Sequence, residues 1–297
     1  MRNSQILGAA LAASLCGCGG ALGTPPLSGA PSAAARTALP PASNQKIYVA
    51  SYDNSTVTTY TTGGTATTPT ITAGLDEPIG VAVDANGKIY VANYGSNDIT
   101  TYLPDGTQTT PTISSGVSGP YGIAVDKNGK VYVANYAGGT VTTYAPDGSQ
   151  STPTITGFAH PTSVAVDSRG KIYVTQDPNG SSGGNVTTYK TDGTPTRPTI
   201  TTDVNLPASV AVGRDGKIYV TMDGGSTGYM RTYRSNGKEM KPTIPAYGGF
   251  FGYIALARSG KIYITDSGGY VTTYRRNGQQ VDPTIAGLDY PEGIAVH

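Results

Sequence analysis

The sequence predicts an all-β fold, a six-bladed β-propeller in which each blade is a sheet of four antiparallel strands. Charged residues make up only 13% of the chain, and 41 glycines and 21 prolines favour short strands joined by turns. A phrase close to "KIYVA" also recurs at intervals of 42, 42, 41, 46 and 44 residues, a period typical of a propeller blade. Its central tyrosines are Tyr48, Tyr90, Tyr132, Tyr173, Tyr219 and Tyr263.

Residues 1–18 have the features of a secretory signal peptide: Arg2 near the start, an apolar stretch from Ile6 to Leu15, and small residues after it. The stretch is too short to span a bilayer. "LCGC" at its end resembles a bacterial lipobox, and this resemblance implies lipidation of Cys18. Cys16 at the middle position is atypical, so cleavage and release of the protein is the alternative.

Residues 19–44 form the second segment, which is rich in alanine, proline, glycine and serine and has no apolar periodicity. This composition predicts a flexible tether. Residues 45–297 form the predicted propeller. Both cysteines precede it, so no disulfide framework is expected.

Each repeat contains four predicted strands, here labelled A to D. In the second repeat they are "IGVAVD", "KIYVAN", "DITTY" and "PTIS". Strand B is a continuous apolar run, which is expected when both faces of a sheet are buried. The prolines that precede strands A and D are expected at strand starts, where a missing N–H is tolerated.

The number of strands predicts how the ring closes. Strands B, C and D each occur six times, but the first repeat lacks strand A and an unpaired strand A, "PEGIAVH", follows the last repeat at Pro291–His297. We expect this segment to complete the first blade beside Lys46–Ser51, because closure removes both open sheet edges.

The segment "PYGIAVDKNGKVYVANYAGGTVTTYAPDG", Pro120 to Gly148, resembles an NHL repeat, and the resemblance covers essentially residues 45–297. It implies a β-propeller related by fold to streptogramin lyases and gluconolactonase-like hydrolases, which use acids, histidines or a bound metal in the central channel. Their catalytic motifs cannot be matched here residue by residue.

Antiparallel blades place the A–B and C–D turns on one face, here called the bottom, and the B–C and D–A loops on the other, the top. Spacings across the bottom turns are constant, whereas the strand B and strand C tyrosines are 12, 12, 12, 16, 14 and 11 residues apart across the top. Variable loops on a rigid scaffold commonly carry recognition. Function is therefore expected on the top face.

Charge divides in the same way. Seventeen of the 20 basic residues fall in bottom turns, and ten of the 19 acids fall in top loops or at their edges. The basic bottom, from which the tether would emerge, is expected to support a lipid anchor on an anionic membrane. An acidic top argues against a nucleic-acid partner.

Residues that follow strand B on the top face are candidate ligand-binding residues, together with His160 in the top loop "FAHPTS". The alternative is a solvated rim without a ligand. The candidates are Tyr52, Asn93, Tyr94, Asn135, Tyr136, His160, Gln176, Asp177, Asp223 and Asp266.

Ring closure also predicts that four carboxylates from opposite ends of the chain are neighbours: Asp76, Glu77, Asp289 and Glu292. A dense group of oxygen ligands suits calcium or another divalent cation, although no motif makes a cofactor certain. The alternative is mutual repulsion relieved by solvent.

Together these features predict a monomeric cell-envelope lipoprotein, or alternatively a secreted or periplasmic protein, that binds a small ligand, peptide, glycan or protein through its acidic, tyrosine-containing top face. One alternative is a metal-dependent lactonase-like hydrolase or streptogramin-lyase-like enzyme with its site at the channel mouth. Another is a structural or assembly scaffold. No specific reaction is indicated.

Overall fold

The computed structural model describes residues 44–178, 183–223, 228–245 and 251–297. The predicted signal peptide, Cys18 and all but the last residue of the predicted tether lie outside the described residues. Among the described residues, no helix is long and apolar enough to cross a membrane.

The described chain forms six four-stranded antiparallel sheets, which confirms the predicted propeller. In the order A, B, C, D, the strands are β24 (Pro291–Val296), β1 (Lys46–Ser51), β2 (Thr56–Thr61) and β3 (Ala66–Ile71) in blade 1; β4 (Pro78–Val83), β5 (Ile89–Asn93), β6 (Asp98–Tyr102) and β7 (Gln108–Ile113) in blade 2; β8 (Pro120–Val125), β9 (Val131–Asn135), β10 (Thr140–Tyr144) and β11 (Gln150–Thr156) in blade 3; β12 (Pro161–Val166), β13 (Ile172–Gln176), β14 (Asn185–Tyr189) and β15 (Pro195–Ile200) in blade 4; β16 (Pro207–Val212), β17 (Ile218–Met222), β18 (Tyr229–Tyr233) and β19 (Glu239–Pro245) in blade 5; and β20 (Phe251–Leu256), β21 (Ile262–Asp266), β22 (Tyr270–Tyr274) and β23 (Gln280–Ile285) in blade 6.

The C-terminal strand closes the ring as the sequence predicted. Strand β24 pairs antiparallel with β1, with Val296 opposite Ile47. The Lys46 N–H donates to the His297 carbonyl at 2.6 Å, and the His297 N–H donates to the Lys46 carbonyl at 3.0 Å. Strand A of each blade contacts strand A of the next, including β24 against both β4 and β20, so the A strands surround the central axis.

The core consists of six apolar clusters, one at each interface between blades. Alternate residues of strand B reach different clusters: Tyr48 packs with Ile89 of blade 2, whereas Val49 packs with Tyr263 of blade 6. Burial of both faces therefore explains why strand B is a continuous apolar run. Each copy of the repeated phrase therefore packs against a neighbouring blade on both of its faces.

The bottom turns are held by their own polar residues. The Asp84 carboxylate accepts from the Asn86 and Lys88 N–H groups at 2.8 and 2.9 Å, an arrangement that closes a turn locally. The Lys88 ammonium crosses the blade and donates to the Thr110 carbonyl at 2.7 Å. Lys46 and Lys130 make the equivalent bond in blades 1 and 3. These lysines therefore bind the scaffold as well as carrying the basic face.

One detail of the sequence prediction was wrong. The proline of strand D does not begin the strand: Pro111 lies inside β7 and follows a cis peptide bond, as do the equivalent prolines of the other blades. Strand D is the outer edge, where a missing N–H needs no partner. The Thr101 hydroxyl lies 2.9 and 2.8 Å from the Thr109 and Pro111 carbonyl oxygens, which spans the irregular register there.

Close approach of the A strands gives a stability prediction. A Cβ on Gly122 would lie 2.5 Å from Ser163 Cα in the next blade, a contact with backbone that only a shift of a strand can relieve. We expect Gly122→Ala to lower the free energy of unfolding by about 2 kcal/mol and the melting temperature by about 4–8 °C. Differential scanning calorimetry measures both.

Ser163→Ala is the matched control, because it alters the same strand position in the next blade without adding a Cβ. The Ser163 hydroxyl makes only long contacts, 3.4 Å to the Ser209 hydroxyl and 3.4 Å to the Val210 nitrogen. Its melting temperature should fall by less than half as much. Equal shifts in the two variants would show that the A strands are not packed as tightly as described.

Candidate functional site

A β-bulge in strand A shapes the top end of the central axis. In every blade, the pairing of strand A with strand B shifts register just after the first residue of strand A. Bulges of this kind re-aim side chains. Here the second residue of each strand A lines the cavities at the top of the axis: Ile79, Tyr121, Thr162, Ala208, Gly252 and Glu292. We call the space inside this ring the funnel.

Below the ring the axis is narrow. The third residues of strand A are glycine or serine in five blades, and the A strands approach so closely that a Cβ on Gly293 would lie 2.3 Å from the Ile79 carbonyl oxygen. Blade 6 instead has Tyr253, which is buried and whose hydroxyl donates to the Thr162 carbonyl at 3.1 Å, on a different blade. Tyr253 therefore forms part of the funnel floor.

Two adjoining cavities make up the funnel, with volumes of about 260 Å³ and about 320 Å³. Both are lined by Tyr121, Tyr290 and Glu292. The larger opens toward Tyr52 and Tyr94 of blades 1 and 2, and the smaller toward the other side of the ring. Glu292 therefore lies where the two cavities meet.

Aromatic rings form a continuous arc along one side of the funnel. The centroids of Tyr94 and Tyr121 are 5.4 Å apart in an edge-to-face contact, and Tyr121 stacks on Tyr136 at 4.4 Å. Tyr136 in turn stacks on His160 at 4.6 Å. Contacts of this kind fix ring orientation. A flat apolar group entering the funnel would meet a preformed wall.

The acidic groups of the funnel are not equivalent. Burial, with a smaller contribution from the charge of Asp223, raises the pKa of Glu292 to about 7. Burial, followed by the charge of Glu292, also raises the pKa of Tyr121 and of Tyr253. Among the described residues that line the two cavities, none is lysine, arginine or histidine. A Glu292 carboxylate near neutral pH is thus poised between its neutral and ionised forms.

The structure brings several predicted ligand-binding residues together. Tyr136, Asp177 and Asp223 line the smaller cavity, and Tyr52 and Tyr94 line the larger one. A hydrogen bond to Glu77 contributes, after burial, to raising the pKa of Tyr52 to about 12.

Asn93 and Asn135, predicted as ligand-binding residues, do not line either cavity of the funnel. Both are fully buried, because the final residue of strand B holds the top loops together. The Asn93 side chain accepts from the Asp76 N–H at 3.3 Å and donates to the Thr100 hydroxyl at 3.0 Å. The Asn135 side chain accepts from the Ser118 N–H at 3.1 Å.

Gln176 and Asp266 occupy the same strand position in blades 4 and 6. Gln176 accepts from the Ala159 N–H at 3.0 Å and donates to Asn185 at 3.2 Å. Asp266 is buried, which raises its pKa, and it accepts from the Gly268 N–H at 2.9 Å. Both side chains therefore support loops at the end of strand B.

His160 lies at the rim and not in the funnel lining. It is exposed, its backbone is left-handed with φ of 51°, and its carbonyl accepts from the Asp177 N–H at 3.1 Å. Its ring ends the aromatic arc through the stacking contact with Tyr136.

The predicted four-carboxylate metal site is not formed. No group of three or more histidine, cysteine, aspartate or glutamate side chains in the described parts of the chain is arranged to hold a metal ion. Glu292 lies on the bulge of β24 and lines the funnel, whereas Asp289 and Asp76 are exposed in loops and Glu77 bonds Tyr52. Residues close together in the sequence, such as Asp289 and Glu292, thus have different surroundings, one in solvent and the other in the funnel.

Several funnel residues were not predicted from the sequence, among them the three tyrosines Tyr121, Tyr253 and Tyr290. A signal for Tyr121 and Tyr253 exists in the repeats. At the second position of strand A the repeats differ in residue type, and at the third Tyr253 stands where the other blades have glycine or serine, whereas the fourth to sixth positions are apolar in every blade.

Comparisons with known proteins agree with this fold. Residues 75–102 match the NHL repeat, and residues 111–177 match the SMP-30/gluconolactonase/LRE-like region. No curated protein matches the chain. The family matches confirm the predicted resemblance to NHL repeats and related propellers.

Solved structures show the same architecture. A chain of the nidogen/laminin complex is similar with a TM-score of 0.70 and 17% identity, over 85% of this chain and 98% of that one. Streptogramin B lyase gives 0.65 and 16%, over 84% and 83%. Virginiamycin B lyase from Staphylococcus aureus gives 0.62 and 14%, over 84% of each chain. At these identities the likeness shows the fold alone.

The raised pKa of Glu292 predicts a pH-dependent effect on stability. Between the usual carboxyl pKa of 4.5 and the folded value of about 7, the folded protein binds more protons than the unfolded chain. Stability contributed at low pH is therefore lost as the pH rises through this window. Glu292→Gln removes the titrating group and with it this loss of stability at higher pH. The free energy of unfolding of the variant, relative to that of the original protein, should therefore increase by about 2 kcal/mol between pH 5 and pH 8.

Urea unfolding followed by circular dichroism at the two pH values measures this difference. Asp289→Asn is the matched control, because Asp289 is an exposed carboxylate three residues away. Its effect should be the same at both pH values. A Glu292→Gln effect that does not change with pH would contradict burial of an ionisable group in the funnel.

Proposed function

We propose that this protein is an exported, envelope-attached β-propeller that binds a ligand in the funnel on its top face. The observation that carries the proposal is the funnel itself: a concave site with a narrow floor, an aromatic wall and a carboxylate where its two cavities meet. Such a mixture of apolar lining and few polar groups is typical of small-molecule sites.

The distribution of sequence variation supports the same face. Loops between strands B and C differ in length from blade to blade, whereas the bottom turns repeat. Each end of the axis has its own charge: Glu292, Asp177 and Asp223 line the top cavity, and Arg214, Arg258 and Arg276 line a cavity at the bottom. A cationic or neutral ligand suits the top better than a nucleic acid, which presents phosphates.

A second candidate function, an acid–base enzyme, is favoured by Glu292. A carboxyl group whose pKa lies near 7 is suited to taking or giving a proton at neutral pH. Similarity in fold to streptogramin B lyase is compatible with a lyase-like reaction in this funnel. In this alternative Glu292 is the base, and the aromatic arc positions the substrate. A binding partner of protein size would instead indicate the scaffold alternative.

Attachment to the envelope is proposed from residues 1–18 and from the basic bottom face. Cys18 would carry the lipid, and the bottom cations would lie toward anionic headgroups. The strand-B lysines are poor residues for testing this, because their ammonium groups also bond strand D. Other exposed cations are better suited. Lys127, Lys190 and Lys238 lie in turns and Lys241 lies in the outer strand β19, and all four are exposed.

Replacing these four lysines with glutamine should weaken membrane binding by about tenfold or more, since each contributes on the order of 1 kcal/mol near an anionic surface. Co-sedimentation of the unlipidated chain, begun at Gly19, with vesicles containing phosphatidylglycerol measures this. The matched control replaces the same four lysines with arginine, which keeps the charge. Loss of binding in the control, or no loss in the glutamine variant, would contradict a role of charge.

Filling the funnel tests ligand binding. Ala208→Phe places a ring among the lining residues of the cavity and should abolish the thermal stabilisation given by ligands found in a screen of small molecules, short peptides and oligosaccharides. Ala85→Phe adds the same ring at an exposed bottom turn and should leave it unchanged. Ligands that stabilise both variants equally would show that binding occurs elsewhere, and absence of any stabilising ligand would count against the proposal.

A further inference from the structure

We propose that the funnel binds a protonated primary or secondary amine carried on an apolar body, with the ammonium group on Glu292 and the apolar part against the tyrosine rings. This inference rests on the proposed function, because it names the chemical class of the ligand for the same site.

The surroundings of the Glu292 side chain suit a ligand that donates hydrogen bonds. Its backbone carbonyl accepts from the Thr265 hydroxyl at 2.7 Å, but no described residue donates a hydrogen bond to its carboxylate. It lies where the two cavities meet, beside Tyr121 and Tyr290. Glu292 is partly buried, and a carboxylate accepts several hydrogen bonds, which water supplies less readily in a partly enclosed site. The site therefore favours a ligand that brings N–H donors.

Further acidic side chains line the cavities around this carboxylate. Asp177 and Asp223 line the same cavity and Asp53 lines its neighbour, and the described lining contains no cationic side chain. Acidic groups in a concave site focus a negative potential. A ligand with one positive charge would be attracted, and a carboxylate or phosphate ligand would be repelled.

Tyrosine rings line the cavity beside this carboxylate. Tyr121, Tyr253 and Tyr290 line the cavity that contains Glu292, and Tyr136 stacks on Tyr121 at 4.4 Å. Rings of this kind attract a cation over their faces and pack against flat apolar groups. A metal ion would gain little from them, and the described residues offer it no group of three ligands. An organic cation gains from both properties of the tyrosine rings, their attraction for positive charge and their packing against apolar groups.

The N–H requirement separates two kinds of cation. A quaternary ammonium group would keep the charge and the contact with the rings, but it would leave the carboxylate oxygens of Glu292 without donors. A primary or secondary ammonium group satisfies both. Affinity should therefore fall when the same ligand body carries a trimethylammonium group.

Isothermal titration calorimetry with a matched series of probes tests the proposal on the full protein. The probes are 2-phenylethylamine, its neutral analogue 2-phenylethanol, the trimethylammonium derivative and 3-phenylpropanoate. At pH 8 the amine should bind at least about tenfold more tightly than any of the other three, since one charge-assisted hydrogen bond exceeds a factor of this size. An alcohol or quaternary probe that binds as tightly as the amine would overturn the proposal.

A pH series adds an independent readout. The ionised fraction of Glu292, with its pKa of about 7, rises about tenfold between pH 6 and pH 8, whereas a simple amine remains protonated. Affinity for the amine should rise by the same factor, and affinity for the alcohol should not change. The other titratable groups facing this region are Asp53, Asp177, Asp223, Tyr52, Tyr94, Tyr121, Tyr136, Tyr253 and Tyr290. Burial raises the pKa of Tyr121, Tyr253 and Tyr290 further above this range.

Glu292→Gln should remove most of the amine affinity at pH 8 and abolish the pH dependence, while leaving the alcohol unaffected. Asp289→Asn, an exposed carboxylate of the same blade, should change neither. Suppose that the alcohol binds, that Ala208→Phe blocks its binding, and that the amine binds no more tightly than the alcohol. The cation inference then fails, and the funnel remains a binding site. If no probe binds and Ala208→Phe has no effect on any ligand, the proposed function fails as well.

Discussion

The hydrogen bonds between β24 and β1 are the contact on which the rest of the structure depends. They join residues more than 240 positions apart in sequence and turn an open array of sheets into a ring. In an open array, blade 1 would lack its inner strand, and the apolar interface between blades 6 and 1 would face water. That interface includes Ile47, Val49, Tyr263 and Ile294, all buried. Closure therefore completes a core interface and a sheet in a single step.

The same closure builds the site. Strand β24 contributes Glu292 from its bulge, and the adjacent A strands contribute Ile79 on one side and Gly252 on the other. A bulge that recurs in every blade turns one residue per blade toward the axis, so the ring offers six positions that differ freely while the sheets repeat. These positions and the loops above them are the parts of the propeller that differ most between blades. The scaffold and the site are thus separate sets of residues within the same strands.

Much of the fold could be predicted because its determinants are local and repeated six times. Tyr48 and its equivalents, the turn aspartates such as Asp84, and the unpaired segment at Pro291 each identify an element without knowledge of the others. The site could not be predicted as well, because it depends on a bulge that no residue type announces. Asn93 and Glu292 illustrate this: one was expected in a rim and is buried, and the other was expected in a loop cluster and lines the funnel.

Among the residues predicted from loop variability, Tyr136 and Asp223 follow the last residue of strand B and line the funnel. Asn135 is itself the last residue of its strand B, and its side chain turns back to bond the loop. One residue along a strand reverses the face that a side chain occupies. A sequence pattern alone does not resolve that difference near a bulge.

Because Glu292 belongs to the strand that closes the ring, the funnel is complete only when β24 pairs with β1. Blades 2 to 6 take all their strands from consecutive parts of the chain, whereas blade 1 needs the C-terminal strand. Any ligand held there would bind only the closed ring, and its binding energy would be added to the stability of the β24–β1 seam. Occupancy of the funnel would then hold the ring closed and protect the seam from opening and from proteolysis.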